Sequence, residues 1–187
     1  MENDIDDALL ASLPQGEPLF EPRKIQDPTR RKEWAEGRRC LLDVRARLLE
    51  GRPGGRLLLS LAHSHGAAIA AGLRLAPDGG VIAVGVDIER TDREMPPKVI
   101  QRVSSPAEMK HARVEPIELW VIKEACYKSN PSSQDTVLSH YEIRTISRKT
   151  GKGTAACASA PGLVFDFIVV TETGWSTAFA ACRGAGT

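Results

Sequence analysis

The sequence lacks several features that would place it in a specialised class of protein. It has four cysteines and no CxxC pair, so neither a zinc knuckle nor a small disulfide scaffold is indicated, and we expect buried free thiols in a reducing compartment. No apolar run reaches the roughly 18 residues of a membrane-spanning helix. The formal net charge is only +1, from 25 Lys and Arg against 24 Asp and Glu. Such a balance gives no overall field for binding nucleic acid or a membrane.

The length and composition are those of an ordinary globular protein. The 187 residues are enough for one domain or two small lobes. Hydrophobic residues make up 42% and charged residues 26%, which excludes a collagen-like or wholly disordered chain. Residues 1–4 are acidic where a signal peptide would be basic. We therefore expect a cytoplasmic protein.

Three segments can be distinguished along the chain. Residues 1–30 carry four prolines among mixed charges and are predicted to form an irregular N-terminal arm. Residues 31–80 are predicted to form a first half, with a helix over 31–50 and strands over 57–62 and 67–75. Residues 81–187 are predicted to form a second half. It begins with a strand over 81–88, a short helix from Ser105 and a helix over 116–128. Three further strands, over 141–146, 163–170 and 175–181, follow, with a turn at 150–153.

The strand Gly85-Val86-Asp87-Ile88-Glu89 carries two carboxylates. Because side chains alternate along a strand, Asp87 and Glu89 are predicted to lie on one face. Two carboxylates on one face repel each other unless they are solvated or share a cation, and Mg²⁺ is the cation that such oxygen ligands suit. A solvated strand end is the alternative interpretation of this segment.

The predicted helix over 116–128 has a second group of polar side chains. Trp120, Glu124 and Lys128 fall at helical spacing on one stripe, and Glu124 is within reach of Lys128. This pattern fits either an ordinary surface Glu–Lys pair or a partly buried functional pair. A third polar group, His63-Ser64, follows an apolar strand. A serine hydrolase is disfavoured there because the sequence has no GxSxG elbow.

Taken in order, these segments resemble the 4'-phosphopantetheinyl transferases of the larger surfactin-synthetase and enterobactin type. That family has a His-Ser motif after a strand, then a Gly-(Ile/Val)-Asp-x-Glu strand, then Trp-x-x-Lys-Glu-Ala-x-x-Lys on a helix. The matching positions are His63-Ser64, residues 85–89 and residues 120–128. Residues 105–108, Ser-Pro-Ala-Glu, are similar to the family's Phe-Ser-x-x-Glu element.

The resemblance implies a fold and a reaction. The fold would be α/β (α+β), with two similar halves related by a pseudo-twofold axis, each a small antiparallel sheet packed on a long helix. The active site would lie in the cleft between them. The reaction would be that of a holo-[acyl-carrier-protein] synthase, which transfers the 4'-phosphopantetheine of coenzyme A to a serine of an apo carrier protein and releases adenosine 3',5'-bisphosphate.

The resemblance also implies roles for acidic and basic residues near the diphosphate of coenzyme A. Asp87, Glu89 and Glu124 would hold Mg²⁺, or Mn²⁺ in its place. Lys123 and Lys128 would bind the diphosphate oxygens. Either Glu124 or Lys128 would act as the general base, directly or through a water.

Other residues are expected at the adenosine end of coenzyme A. By resemblance, His63 and Ser64 would contact phosphates, and Arg52 would lie against the adenine and its phosphate, as in the family's Gly-Lys-Pro. Arg38 and Arg45 belong to a basic helix that would lie near the 3'-phosphate. A solvated helix face is the alternative for these two arginines.

Two departures from the family pattern keep other functions open. The loop between positions 53 and 63 is short, and residues 129–133, Ser-Asn-Pro-Ser-Ser, replace a Gly-rich continuation. A carrier-binding module without turnover and a Mg²⁺-dependent hydrolase of coenzyme A are the alternatives. The expected partners are coenzyme A and an apo acyl or peptidyl carrier protein of a polyketide, peptide or fatty-acid-type synthase. We expect no nucleic acid or membrane partner, and a monomer, since one chain completes one cleft.

Overall fold

The computed structural model describes residues 26–50, 55–76 and 79–184. The helices are α1 (Pro28–Leu49), α2 (Pro97–Val103), α3 (Pro106–Ala112) and α4 (Pro116–Lys128). The strands are β1 (Arg56–Ser64), β2 (Ala67–Leu75), β3 (Val81–Arg90), β4 (Tyr141–Ile146), β5 (Lys152–Cys157), β6 (Ala160–Glu172) and β7 (Trp175–Gly184). Most of the predicted N-terminal arm, and Arg52, lie outside the described residues.

A helix and a hairpin make up the first part of the described chain. β1 and β2 pair in antiparallel register, with Ser64 opposite Ala67. The two turn residues between them, His65 and Gly66, have φ of 49° and 78°, as a tight two-residue hairpin turn requires. α1 begins after Asp27, whose carboxylate accepts a hydrogen bond from a backbone N–H of the first turn. The helix packs across both strands.

A five-stranded antiparallel sheet forms the second part, in the order β3-β7-β6-β5-β4. α4 packs against β3, β7 and β6 and is buried on most sides. Its buried residues are Ile117, Glu118, Leu119, Val121, Ile122, Lys123, Ala125 and Cys126. The main core therefore lies between α4 and this sheet.

The predicted mixed α/β architecture with antiparallel sheets is confirmed, with two corrections to its elements. The sequence predicted a turn over 150–153, but Lys152 and Gly153 open β5, which pairs with both β4 and β6. Its centre is alanine-rich, a composition with little strand preference. No element was predicted between the strand that ends at residue 88 and Ser105. This polar segment contains α2, which starts at Pro97, and proline is well tolerated at the first position of a helix. The pseudo-twofold relation and the boundaries at residues 30 and 80 stay predictions.

The expected burial of the cysteines is found for three of the four. All four are free, and Cys126, Cys157 and Cys182 are buried while Cys40 is partly exposed. Within the described ranges, no helix is both long and apolar enough to cross a membrane.

Gly85 marks the closest approach of β3 to α4. A Cβ at this position would lie 2.0 Å from the carbonyl oxygen of Ala125 and 2.7 Å from the amide nitrogen of Ser129. Because both atoms belong to the backbone, the strand and the helix would have to separate. Gly85→Ala is therefore expected to lower the free energy of unfolding by about 3 kcal/mol, measured by urea denaturation. Gly162→Ala is the matched control, since a Cβ there meets nothing within 4 Å. Equal unfolding midpoints for the two variants would contradict the prediction.

Candidate active site

The hairpin and the five-stranded sheet meet where β1 runs beside β3. The hydroxyl of Ser60 accepts a hydrogen bond from the backbone N–H of Val86 at 3.0 Å. Further along both strands, Ser64 at the end of β1 donates to the carboxylate of Glu89 at 2.6 Å. This junction brings together two of the sequence motifs, the His-Ser pair and the acidic strand.

The alternation predicted for β3 is found in the structure. Val86 and Ile88 pack with Ala62 in a small apolar cluster. Asp87 and Glu89 point the other way, yet they are only 7% and 9% exposed. The alternative interpretation, a solvated strand end, is therefore wrong. Both carboxylates are buried and must be stabilised by neighbouring groups.

Asp87 is only partly satisfied by its surroundings. Its Oδ1 accepts a hydrogen bond from the ammonium of Lys128 on α4, at 2.6 Å. Its Oδ2 is buried and, among the described residues, has no hydrogen-bonding partner. Burial raises the pKa of Asp87, and the charge of Lys128 opposes this rise. One buried oxygen of this carboxylate thus lacks the donor or cation that would offset its desolvation.

Glu89, in contrast, has a partner at each oxygen. Oε1 pairs with the guanidinium of Arg93, and Oε2 accepts the hydrogen bond from Ser64. The Ser64 hydroxyl also lies 2.8 Å from Nδ1 of His65. Arg93 in turn lies over the ring of Trp120, 5.4 Å from its centre, which is the geometry of a cation–π contact. Residues from β1, β3 and α4 are therefore connected through one carboxylate.

Glu124 lies one helical turn before Lys128 on the same helix. Within the described ranges it forms no hydrogen bond or ion pair, since Lys128 pairs with Asp87 instead. Burial raises the pKa of Glu124, and the negative charges of Asp87 and Glu89 raise it further. The three carboxylates therefore share one electrostatic environment, which favours a bound cation.

The donor set of Asp87, Glu89 and Glu124 fits Mg²⁺ in its chemistry. The ion takes hard oxygen ligands, and the partnerless Oδ2 of Asp87 is an oxygen that a cation would satisfy. As the side chains stand, however, no group of three or more acidic, His or Cys side chains in the described part of the chain forms a compact metal cluster. Lys128 and Arg93 hold two of the three carboxylates. The residues fit the metal, and these side chains have to adjust for all three to bind it.

Lys123 is not brought together with the other predicted site residues. Its side chain is 1% exposed, and its ammonium donates to Oε2 of Glu108 at 2.8 Å and to the carbonyl of Tyr141. Oε1 of Glu108 accepts from the backbone N–H of Ile143 at 2.9 Å. In this position the ammonium is enclosed in the core, because α4 directs Lys123 toward α3 and β4 and away from the acidic cluster. In this arrangement the ammonium of Lys123 does not reach a molecule bound at the acidic cluster.

The residues expected at the adenosine end are spread along α1 and β1. His63 is exposed on β1, next to Ser64. Arg38 lies over the ring of Trp34, 5.5 Å from its centre. Arg45, two turns further along α1, is half-buried. No contact within the described residues joins these two arginines to the acidic cluster.

Arg93 is the residue of this site that the sequence motifs did not single out. Its ion pair with Glu89 and its contact with Trp120 make it a second link between β3 and α4, beside the pair of Asp87 and Lys128. No spacing rule identifies it, because it lies in the polar stretch after the strand ends. Only the packing of that stretch against α4 brings it to the carboxylates.

Comparisons with known proteins identify the family of the chain. No curated protein matches the sequence. Among solved structures, the chain is similar to an apo-ACPS from Chronobacterium ammoiniagenes, with 21% identity and a TM-score of 0.38 over 55% of this chain and 96% of that chain. The family model for the 4'-phosphopantetheinyl transferase superfamily matches residues 83–180. That range is just over half of the 187 residues and contains most of β3 and all of α4, with Asp87, Glu89 and Glu124. The chain therefore belongs to the 4'-phosphopantetheinyl transferase superfamily.

Proposed function

We propose that the protein transfers the 4'-phosphopantetheine group of coenzyme A to a serine of an apo acyl or peptidyl carrier protein, with Mg²⁺, and releases adenosine 3',5'-bisphosphate. The observation that carries the proposal is the cluster of the buried Asp87 and Glu89 with the partly buried Glu124, and with Lys128 at its edge, in a chain of this superfamily. The carriers would belong to polyketide, peptide or fatty-acid-type synthases.

We assign the chain to the larger surfactin-synthetase and enterobactin type. The support is the helix and hairpin of residues 28–75, which precede the part that the family model matches. They contribute Ser64 to the cluster, so one chain would supply both sides of the expected cleft. A cytoplasmic monomer is sufficient for this function.

Asp87, Glu89 and Glu124 would hold the metal, with Oδ2 of Asp87 as the oxygen most ready for it. When bound, a divalent ion neutralises charge on a diphosphate and favours attack at its phosphorus. Lys128 lies beside Asp87 and is partly exposed. Its ammonium would bind a diphosphate oxygen and stabilise the charge that develops in the transition state.

The transfer step needs a base for the serine hydroxyl. The serine oxygen forms a bond to the phosphorus that bears the pantetheine, and the bond from this phosphorus to the bridging oxygen breaks. The electron pair leaves with adenosine 3',5'-bisphosphate, and the serine proton passes to Glu124, directly or through a water. Glu124 suits this role better than Lys128 because none of the described residues pairs with its carboxylate, whereas the ammonium of Lys128 is engaged by Asp87.

The adenosine end of coenzyme A would lie along the hairpin side. We propose that His63, Arg38 and Arg45 bind its phosphates, together with Arg52. Ser64 has a contact of its own, since its hydroxyl donates to Glu89. We propose that it positions this carboxylate as well as contacting a phosphate.

An intact-mass assay tests the proposal. A panel of apo carrier proteins is incubated with the protein, coenzyme A and Mg²⁺, with and without chelator. We expect a gain of one phosphopantetheine arm that disappears with chelator and with a carrier whose acceptor serine is alanine. If coenzyme A is cleaved without an acceptor, the protein is a hydrolase. If carriers bind and gain no mass, it is a binding module.

A further inference from the structure

Arg93 is a cation within the acidic cluster, and it is held on two sides. Its guanidinium pairs with Oε1 of Glu89 and lies over the ring of Trp120. The side chain of Glu89 is 11% exposed and that of Arg93 is 35% exposed. Because the pair is partly buried, it is screened less than an ion pair at the surface. With Ser64 on Oε2, both oxygens of Glu89 are engaged within the protein.

Asp87 differs from Glu89 in this respect. Lys128 takes its Oδ1, and its Oδ2 has no partner in the described part of the chain. A divalent cation can therefore bind Oδ2 of Asp87 without taking the oxygen that Lys128 holds. A divalent cation that binds Oε1 of Glu89 would compete with the guanidinium of Arg93 for that oxygen. Two positive charges a few ångströms apart in a partly buried site repel strongly.

We propose that Arg93 is an internal counter-ion that competes with the divalent metal for Glu89, and that the metal displaces it when it binds. This inference rests on the proposed function, because it takes Asp87, Glu89 and Glu124 as the metal ligands. Arg93 is a positioning residue in this scheme. It keeps Glu89 in place when no metal is bound, and it weakens the affinity of the site for metal.

The surroundings give the displaced guanidinium another position. A cavity of about 260 Å³ lies beside it, lined by Arg93 itself and by side chains that include Thr91, Glu115 and Glu118. Glu118 is already engaged by Arg148 and by the hydroxyl of Thr171. The carboxylate of Glu115 and the hydroxyl of Thr91 are the acceptors for a guanidinium there. Arg93 can thus leave Glu89 without remaining buried and unpaired.

Binding of Mn²⁺ alone, followed by the electron paramagnetic resonance signal of the free ion, tests this inference without catalysis. Arg93→Ala is expected to bind Mn²⁺ about tenfold more tightly than the wild type, because no ion pair has to be broken. Arg93→Lys is expected to stay near the wild-type affinity, since an ammonium can still pair with Glu89. Arg93→Gln keeps the stacking on Trp120 and replaces the alanine variant if that variant does not fold.

Arg90→Ala is the matched control. Arg90 lies at the end of the same strand and pairs with Asp92 in an exposed pair, with side chains 47% and 64% exposed. Its removal takes away the same charge without freeing Glu89, so Mn²⁺ affinity is expected to change by less than about twofold. The proposed competition would be overturned if wild type and Arg93→Ala bound Mn²⁺ with equal affinity. It would also be overturned if Arg90→Ala gained as much Mn²⁺ affinity as Arg93→Ala.

The same titration separates this inference from the proposed function. Wild type that binds Mn²⁺, with an affinity lowered by Asp87→Asn, supports the metal ligands whatever Arg93 does. No Mn²⁺ binding by the wild type would overturn the ligand set and the competition together. Thermal unfolding gives a second readout: Mn²⁺ is expected to raise the unfolding temperature of Arg93→Ala more than that of the wild type.

Discussion

Glu124→Gln is expected to lower the rate of phosphopantetheine transfer about a thousandfold, the usual range for loss of a general base. Glutamine keeps the size of the side chain but cannot accept the serine proton, and it is a poorer ligand for a divalent ion. Initial rates of carrier modification by intact mass, at saturating coenzyme A and Mg²⁺, give the measurement. The loss should appear in kcat, because the interaction is made in the transition state.

The folded state of Glu124→Gln is expected to be as stable as the wild type or more stable. Glu124 is desolvated and repelled by Asp87 and Glu89, which is why its pKa is raised, so the neutral amide removes an unfavourable interaction. Glu142→Gln is the control for loss of a carboxylate, since Glu142 pairs with Arg144 on β4 and both are more than half exposed. A wild-type rate in Glu124→Gln would remove Glu124 from both of its proposed roles.

The local features of the fold could be predicted from the sequence because each depends on near neighbours. The alternation that puts Asp87 and Glu89 on one face follows from strand geometry, and the strands β1 and β2 follow from two short apolar runs. β5 was not predicted because its pairing with β4 and β6 compensates for a composition with little strand preference of its own.

The contacts within the site could not be predicted in the same way. Ser64 meets Glu89 and Lys128 meets Asp87 across separations of 25 and 41 residues, and the packing of β1 and α4 against β3 decides both. The motifs identified which residues carry charge. They did not indicate that Lys128 pairs with Asp87 and leaves Glu124 without a partner among the described residues. They also did not indicate that Arg93 lies between Glu89 and the ring of Trp120.

The position of Lys123 illustrates the same limit on a single helix. Most helices of a globular protein have one polar face, and a lysine next to Glu124 would then be expected near the same ligand. α4 is buried on most sides, so its sequence pattern does not define a solvent face. Lys123 and Glu124 are adjacent in sequence, yet they point about 100° apart around the helix axis and enter different surroundings.

Lys123→Met is therefore expected to destabilise the protein by about 4 kcal/mol, because it leaves the carboxylate of Glu108 buried without its cation. Burial lowers the pKa of Lys123, and the hydrogen bond and charge of Glu108 oppose this effect. Each charge of the pair is therefore stabilised by the other. Urea denaturation followed by circular dichroism measures the loss. Lys110→Met, an exposed lysine on α3, is the control and should change stability by no more than about 0.5 kcal/mol.

The double variant Lys123→Met/Glu108→Gln distinguishes a structural ion pair from a phosphate ligand. Glutamine can still accept the hydrogen bond from the backbone N–H of Ile143, which Glu108 accepts at 2.9 Å, and it carries no charge to be left unpaired. We expect this variant to recover more than half of the lost stability and to bind coenzyme A with wild-type affinity in calorimetry. If Lys123→Met instead unfolded like the wild type and bound coenzyme A much more weakly, the ammonium would have to leave Glu108 for the diphosphate. Lys123 would then be a ligand of the substrate, as the family motif suggests.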